Sequence, residues 1–554
     1  MLSLITEATE LSNEIMINWD SEILPIQRSI ISDIRNHFLT DPHTIGAFQF
    51  IGESVDSLSY LLGVIPAVVL NNKKVVIFCP ELKLKKIKDQ LDEIVSVSPI
   101  GISVTHRKDD VMADVLIMDY ETLSERPLES IWRENAVYVF DEPQTLKSIV
   151  LESSIMKVDL RILLDVAKQT QALILQLSVV GKRSEPEFIL NSQLRVYGES
   201  ITKLLACLRD FTVMIGVAGD SQYHFPSILP RRVNNAVKDV LINTKAVKLQ
   251  IDECLNIGAN LGYLYELIRQ SEHALRCFLK LSRHKWLEHD RINESFSLSS
   301  TVTDCSEILS TLFMGQNSAP LFMYSYLVRQ DVQELVRSFN LLERFKFKHY
   351  KYPLRNEITV QVPVIPYGPK EELIEFWLIE NLVTQFQKGQ STIVFFSNRK
   401  LMNKVRLGIE QLCTKEGVLL QMQGDANFDK QIVNHKRALG LNLHSVLLAS
   451  TETKKQLVES NCLFNTVVFL GVPFDAPYKI EMQVLLSQYT QNENHFELVS
   501  LPRALNTMSE IICNLLSNEE NAEIVLLDQR IKNGASYANH ICRYLAENHN
   551  CIMN

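Results

Sequence analysis

The sequence has few of the residues that mark several common protein classes. Its 554 residues include only 19 glycines and 18 prolines, which argues against a collagen-like or low-complexity chain. The ten cysteines form no CxxC pair, the close spacing that zinc ribbons and iron–sulfur clusters use. We therefore expect buried free thiols in a reducing compartment and no bound metal.

Long apolar runs and an excess of positive charge are also missing. No stretch approaches the ~18 consecutive apolar residues of a transmembrane helix. The first residues carry acids instead of the basic start of a signal peptide, which predicts a cytoplasmic protein. The net charge of −9 argues mildly against a dedicated DNA binder, because phosphate contacts come from Lys and Arg.

The chain is longer than the ~250–300 residues that one hydrophobic core supports, so at least two domains are expected. Helical patterns cover 24–39 and 81–95, and short apolar runs typical of buried parallel strands alternate with such patterns. These runs lie at 73–80, 114–118, 137–140, 319–328, 391–396, 418–422, 445–449, 466–470 and 523–527. Between about 150 and 310 the apolar period is helical almost throughout. The prediction is an α/β first domain at 1–150 and 311–340, a helical insertion at 151–310, and a second α/β domain at 341–554.

The run VYVFDEPQTL carries Asp141 and Glu142 directly after the strand pattern VYVF, and this acidic pair resembles the DEAH box. Five other segments support the same resemblance: LPIQRSIISDI, FIGESVDSLSYLL, STIVFFSNRKLMNKV, FLGVPFDAP and LPRALNTMSEIICNLLSNEENAEIVLLDQRI. In their order along the chain, these segments resemble the XPD/DinG branch of superfamily 2 helicases, most closely bacterial DinG and YoaA. The resemblance implies two RecA-like parallel-sheet motor domains, with an arch-like helical insertion in the first.

The same resemblance places the adenine-reading glutamine at Gln27 and the phosphate-binding loop before SYLL. A P-loop needs glycines, a lysine for the phosphates and a hydroxyl for Mg²⁺. Here the lysine position is Asp56 and the hydroxyl position is Ser57, and Glu53 adds a second acid where a polyphosphate would sit. Like charges at close range repel, so this loop is expected to reject ATP.

Other parts of the ATP machinery are altered too. The DEAH histidine is replaced by Gln144, and the two arginine positions of the last motif are Cys513 and Leu516. Arginine fingers contribute ~10³–10⁵ in rate in related systems. Asp141 and Glu142 are therefore interpreted as vestigial. The four cluster cysteines of the family have no counterpart before Asp141, so no iron–sulfur cluster is expected.

Basic segments are the candidates for residual nucleic-acid contact. RFKFKHYKYPLR interleaves aromatic and basic residues, which suits single-stranded nucleic acid, although a half-buried strand gives the same pattern. Lysines after the strand at 73–80 would lie beside the DNA groove of such motors. The candidate residues are Lys83, Lys85, Lys86, Arg344, Lys346, Lys348, Tyr350 and Lys351. His284 and His289 are five apart, the wrong spacing for one helical face, which argues against a metal site there.

The leading hypothesis is a catalytically inactive pseudohelicase without ATP, Mg²⁺ or cluster. It would act as a scaffold or regulatory subunit in DNA repair, replication, or a mobile-element or defence process. A protein partner in a DNA-processing complex is expected, with single-stranded DNA as a second ligand. The alternative is an active ATP-dependent DNA helicase of the same family, for which Asp141, Glu142 and Gln27 are the support.

Overall fold

The computed structural model describes most of the chain, and every structural statement below concerns the described residues. They are residues 2–18, 23–40, 45–51, 57–107, 109–120, 122, 132, 136–179, 185–215, 221–256, 261–290, 295–304, 320–325, 345–351, 358–363, 391–397, 399–425, 427–477, 479–486, 494–516, 522–532, 534–549 and 551–553.

Eighteen strands are described. They are β1 Ile45–Ile51, β2 Lys74–Cys79, β3 Val104–Thr105, β4 Val115–Asp119, β5 Ala136–Asp141, β6 Met156–Asp159, β7 Ser221–Phe225, β8 Arg283–Asp290, β9 Ser295–Val302, β10 Leu321–Ser325, β11 Phe345–Lys351, β12 Ile358–Gln361, β13 Thr392–Phe396, β14 Leu419–Met422, β15 Ser445–Ser450, β16 Thr466–Leu470, β17 Glu523–Leu526 and β18 Cys551–Met553.

The described α-helices number sixteen. They are α1 Leu2–Ile17, α2 Pro25–Thr40, α3 Ser57–Val69, α4 Glu81–Val97, α5 Gln144–Ser153, α6 Leu160–Val179, α7 Glu185–Met214, α8 Arg231–Asn256, α9 Gly262–Leu279, α10 Arg399–Lys415, α11 Phe428–Gly440, α12 Lys454–Glu459, α13 Ile480–Leu486, α14 Leu501–Leu515, α15 Gln529–Lys532 and α16 Ala538–His549. A 3₁₀ turn, Thr451–Thr453, and a π-helical turn, Phe496–Ser500, complete the set.

The first sheet has seven strands in the order β11-β1-β10-β5-β2-β4-β3, and its described pairs are all parallel. Its central strands are continuous apolar runs because both faces are covered. Ile77 of β2, for example, lies opposite Ile117 on one side and Val139 on the other. Gly63 lets α3 approach α2 closely, since a Cβ there would meet Ile31 and Ile34 at 3.1 Å.

The second sheet also has seven parallel strands, in the order β14-β15-β13-β16-β17-β12-β18. Val394 of β13 faces Leu448 and Val468 in the neighbouring strands, and all three are buried. The two parallel α/β sheets confirm the predicted fold class. The described segments confirm the strands predicted from apolar runs, to within two residues at most ends.

The switch between the two sheets differs from the predicted boundary at residue 341. Strand β11 pairs in parallel with β1 and so belongs to the first sheet, whereas β12 pairs with β17 in the second. The change of sheet therefore falls between Lys351 and Ile358. Strand β11 pairs with the edge strand β1 because Tyr350 packs on Phe48 and Phe50 of that strand.

By its internal contacts the chain divides into two units: Met1–Lys147 with Ile308–Asn554, and Ser148–Glu307. The second unit contains the four helices α6–α9 and an antiparallel sheet in the order β6-β9-β8-β7. The prediction of an almost wholly helical insertion was therefore wrong. His284 and His289 lie on β8, not on a helix, and the rings of His284 and His224 on β7 are in contact.

No helix in the described ranges is both long and apolar enough to cross a bilayer. The nine cysteines found within those ranges are all free thiols.

Candidate functional site

The acidic pair Asp141 and Glu142 lies at the carboxyl end of β5, between β10 and β2 of the first sheet. Ligand sites of open α/β sheets occur at this edge. The Asp141 side chain is fully buried. Glu142 has a φ of 54°, a left-handed conformation that costs a non-glycine residue ~1–2 kcal/mol. Its backbone N–H donates to the Met323 carbonyl of β10 at 2.7 Å, which holds the turn in place.

A lysine from the neighbouring element neutralises both acids. Helix α4 follows β2, the strand beside β5, so its first turn lies at the same sheet edge. The Lys83 Nζ is 3.0 Å from Asp141 Oδ1 and 2.8 Å from Glu142 Oε1. One ammonium group thus bridges both carboxylates. A metal cation bound by these two acids would contact the same oxygens.

Two tyrosines complete the cluster. The Tyr60 hydroxyl, from α3, donates to Asp141 Oδ2 at 2.9 Å. The Tyr120 hydroxyl donates to the Asp141 main-chain oxygen at 2.7 Å. Both side chains are buried; Tyr60 and Lys83 satisfy the two carboxylate oxygens of Asp141, and Tyr120 satisfies its main-chain oxygen. The described contacts therefore join Lys83, Tyr60, Tyr120 and the acidic pair in one hydrogen-bonded network.

Burial and charge compete in setting the pKa values of this network. Burial is the largest influence on Asp141 and raises its pKa, with Glu142 adding to it, while Lys83 and Tyr60 oppose the shift. Burial also disfavours the charged form of Lys83, but the two carboxylates outweigh it and raise the pKa of Lys83. The pKa values of Tyr60 and Tyr120 are raised, first by burial and then by Asp141. Lys83 is hence a permanent cation here at neutral pH.

The described nucleotide-site positions, Ser57 and Gln27, make hydrogen bonds at the starts of α3 and α2. Ser57 opens α3 with a buried side chain, and its hydroxyl donates to Gln90 of α4. Gln27 accepts the backbone N–H of Leu24 at 2.8 Å, at the start of α2. Glu53 and Asp56 lie outside the described residues.

Cys513 and Leu516, the positions that the resemblance aligns with two arginines, are buried beside the second sheet. Cys513 on α14 is 7% exposed, and its Sγ is 3.8 Å from His549 Nδ1. Leu516 is 1% exposed and belongs to the hydrophobic core. Neither side chain could donate a hydrogen bond to a phosphoryl group as arginine does.

The nucleic-acid candidates are divided between different environments. Lys83 is engaged with the acidic pair, whereas Lys85 and Lys86 are exposed on α4. On β11, Lys348 Nζ is 2.7 Å from Asp33 Oδ1, and the Tyr350 hydroxyl donates to Asp33 Oδ2 at 2.7 Å. Lys346 is exposed on the same strand, where Lys351 also lies; Arg344 falls outside the described residues.

One cavity of about 480 Å³ was not predicted from the sequence. It lies at the carboxyl ends of β13, β15 and β16 in the second sheet, where parallel-sheet ligand sites occur. Its polar lining includes Arg399, which packs against Gly424 (φ +98°), and Ser450. Its other charged side chains form ion pairs: Lys454 with Glu510, Lys479 with Glu452, and Asp475 with Arg503.

The sequence analysis also did not predict that Lys83 pairs with Asp141 and Glu142. The sequence does show that these residues closely follow two apolar strand patterns. Adjacent parallel strands end at the same sheet edge, so a basic residue just after β2 lies near acids that follow β5. The order of strands within the sheet was the missing information, since β2 and β5 are separated in sequence by β3 and β4.

A comparison with known protein families finds a helicase domain in part of the chain. Residues 379–548 match the family model described as the helicase C-terminal domain. No curated protein matches the chain significantly in sequence. Among solved structures, Xpd4 of S. tokodaii is 15% identical with a TM-score of 0.55, covering 93% of this chain and 97% of that one.

Two further XPD structures are similar in fold. An apo XPD structure is 14% identical with a TM-score of 0.54, and an XPD helicase structure is 13% identical with a TM-score of 0.55. Each match covers 96% of this chain and 100% of the other. The two seven-stranded sheets therefore have the RecA-like fold of these proteins. Residues 379–548 are thus similar to a helicase C-terminal domain, and the fold of the chain is similar to that of XPD helicase structures.

Proposed function

We propose that this chain is a catalytically inactive member of the XPD/DinG-type helicases. It would act as a scaffold or regulatory subunit in a DNA-processing complex, in repair, replication, or a mobile-element or defence process. The observation that carries the proposal is the Lys83 ammonium, which contacts both Asp141 and Glu142. These are the acids that resemble the DEAH box.

The lysine and a metal ion compete for the same oxygens. A divalent cation at Asp141 would lie close to the Lys83 ammonium, and a divalent and a monovalent cation ~4 Å apart repel by about 8 kcal/mol at an effective dielectric of 20. Removing Lys83 from the pair would in turn leave its charge partly buried and unpaired. The resident lysine therefore disfavours Mg²⁺ at this edge, and no Mg²⁺–ATP step is assigned to these residues.

Other positions support the same proposal. The arginine positions of the last motif are packed as Cys513 and Leu516, so they supply no charge for a transferring phosphoryl group. There is no cysteine between Cys79 and Asp141, where the family places its cluster ligands. We therefore expect neither nucleotide turnover nor an iron–sulfur cluster.

The test is titration calorimetry of the full chain with ATP and Mg²⁺, at protein concentrations near ~100 μM so that weak affinity is detected. We expect no heat above dilution and no DNA-stimulated ATP hydrolysis. The Lys83→Met variant, compared with Lys85→Met on the same helix, shows whether the lysine alone excludes Mg²⁺. Micromolar binding of ATP by the wild-type chain would overturn the proposal in favour of an active helicase.

A further inference from the structure

The unit Ser148–Glu307 contains a second cavity, of about 640 Å³, which has no part in the site described above. Its walls come from the segment Ile155–Lys157, from α8 through Lys248, and from α9 through residues between Arg269 and Arg276. All of these elements belong to the same unit and pack on its core. The cavity is therefore a feature of the insertion alone.

The lining is strongly basic although the chain as a whole is acidic. Four cationic side chains line the cavity, namely Lys157, Lys248, Arg269 and Arg276. The acid among the lining residues is Glu272, whose side chain is 7% exposed, and Lys248 Nζ lies 3.0 Å from its Oε2. Arg276 also bonds Glu272. The cavity already holds one carboxylate with a lysine and an arginine, which is the chemistry of acidic-group recognition.

Two of the cations are exposed and pair with acids that do not line the cavity. Arg269 is 57% exposed and pairs with Glu266, and Lys157 is 51% exposed and pairs with Glu288. Exposed ion pairs contribute only ~0–1 kcal/mol, so an incoming carboxylate can replace these partners at small cost. Lys157 and Arg269 can therefore exchange their partners for a ligand, whereas Lys248 and Arg276 bind Glu272.

The remaining lining distinguishes between ligands. The described lining residues include no Phe, Tyr or Trp, the side chains on which single-stranded bases stack. Instead, the half-buried aliphatic side chains of Ile155 and Met156 lie next to the cations, with Ala274. A surface with aliphatic and cationic groups suits a peptide that carries acidic and aliphatic residues better than it suits a nucleic acid.

We propose that this cavity docks an acidic segment of a protein partner, in which carboxylates pair with Lys157 and Arg269 and an aliphatic side chain contacts Ile155 and Met156. The inference rests on the proposed scaffold function and specifies the chemistry of the partner.

The test is fluorescence anisotropy with the full chain and a short fluorescein-labelled peptide built from Asp, Glu and Leu. The double variant Lys157→Gln/Arg269→Gln is expected to bind the peptide about tenfold more weakly. The matched control is Arg195→Gln/Lys203→Gln, which removes the same charge from exposed positions of α7 in the same unit and should bind as the wild type does. Thermal melts of each variant check folding, and Arg269→Gln alone provides a milder change.

Three results would overturn the inference: no peptide binding by the wild-type chain, equal binding by both double variants, or stronger binding of labelled oligothymidylate that the cavity variant alone loses. The last result would assign the cavity to nucleic acid. The assay contains no ATP, so its failure is distinct from failure of the pseudohelicase proposal, which depends on the calorimetry with ATP and Mg²⁺.

Discussion

Lys83 occupies a position that would be unfavourable without its partners. The positive end of the helix dipole lies at the start of α4, and a lysine in the first turn is repelled by it. Asp141 and Glu142 more than compensate, because they raise the pKa of Lys83 despite its burial. The reverse also holds, since Asp141 is fully buried and needs a counter-charge.

We therefore expect the Lys83→Met variant, which keeps the aliphatic stem, to lose about 2–4 kcal/mol of the free energy of unfolding at pH 7. It leaves two adjacent carboxylates, one of them buried, without their cation. Chemical denaturation measures the change. Lys85→Met is the control, because exposed positions usually change stability by no more than about 0.5 kcal/mol.

The pH dependence of this loss has a defined sign. Without Lys83, the pKa of buried Asp141 rises further above its unfolded value, because the largest group that opposes the shift is gone. A raised carboxyl pKa stabilises the fold at low pH, and this contribution disappears as pH rises through the folded pKa. The deficit of Lys83→Met should therefore shrink on acidification. An equal deficit at pH 5 and pH 7 would show that Asp141 does not gain a proton in the variant.

At the scale of elements, the sequence predicted the parallel strands well and the antiparallel ones poorly. Strands such as β13 and β16 are fully buried apolar runs, a pattern that a covered parallel sheet requires. Strand β9, SFSLSSTV, is also fully buried, but serines fill half of it. Strand β8, RHKWLEHD, has four charged residues among its eight. Neither sequence has the pattern of an apolar strand. Some of their polar side chains are instead hydrogen-bonded within the unit, such as Thr301 with Ser154 and Trp286 with Glu288.

The pairing of β7 and β8 creates a contact that predicts acid sensitivity. His224 Nδ1 lies 2.9 Å from His284 Nε2, so one ring must donate and the other accept. Burial lowers the pKa of His224, and burial, followed by His224 and Lys285, lowers the pKa of His284 to about 4. A lowered histidine pKa gives stability that is present above pH ~6.5 and is lost as pH falls toward the folded value.

Between pH ~6.5 and 4 we expect the unit Ser148–Glu307 to lose about 1–3 kcal/mol from these rings. Trp286, buried in the same unit with its ring 6.1 Å from that of His284, reports the change by fluorescence. The His284→Gln variant should flatten the pH dependence, whereas His273→Gln, at an exposed position of α9, should not. An unaltered pH profile in His284→Gln would assign the acid sensitivity to other groups.

At the scale of the whole molecule, strand order was the information that the sequence lacked. The α/β character of both sheets followed from local patterns, yet the assignment of β11 to the first sheet depends on its pairing with β1, about 300 residues away. A second pairing between strands distant in sequence, that of β2 with β5, explains why Lys83 was interpreted as a nucleic-acid contact. Its partner Asp141 comes from a strand that only the completed sheet brings next to β2.

The exposed lysines of α4 predict weak, passive binding of single-stranded DNA despite the negative net charge. The chain carries −9 overall, and the candidate basic side chains on α4 that remain exposed are Lys85 and Lys86. With about two phosphate contacts, the logarithm of the single-stranded DNA affinity should fall with log salt at a slope of about −1.4. Lys85→Ala/Lys86→Ala should weaken binding and make this slope shallower.

The effect of ATP on this binding distinguishes a scaffold from a motor. A helicase changes its affinity for DNA as nucleotide binds, because the two ligands favour different states of the protein. If Lys83 keeps Mg²⁺ away from Asp141 and Glu142, no such coupling exists. Anisotropy with labelled oligothymidylate should then give the same dissociation constant with and without ATP and Mg²⁺. An affinity that ATP shifts several-fold would mean that nucleotide still reaches the chain and that the Lys83 bridge opens to admit it.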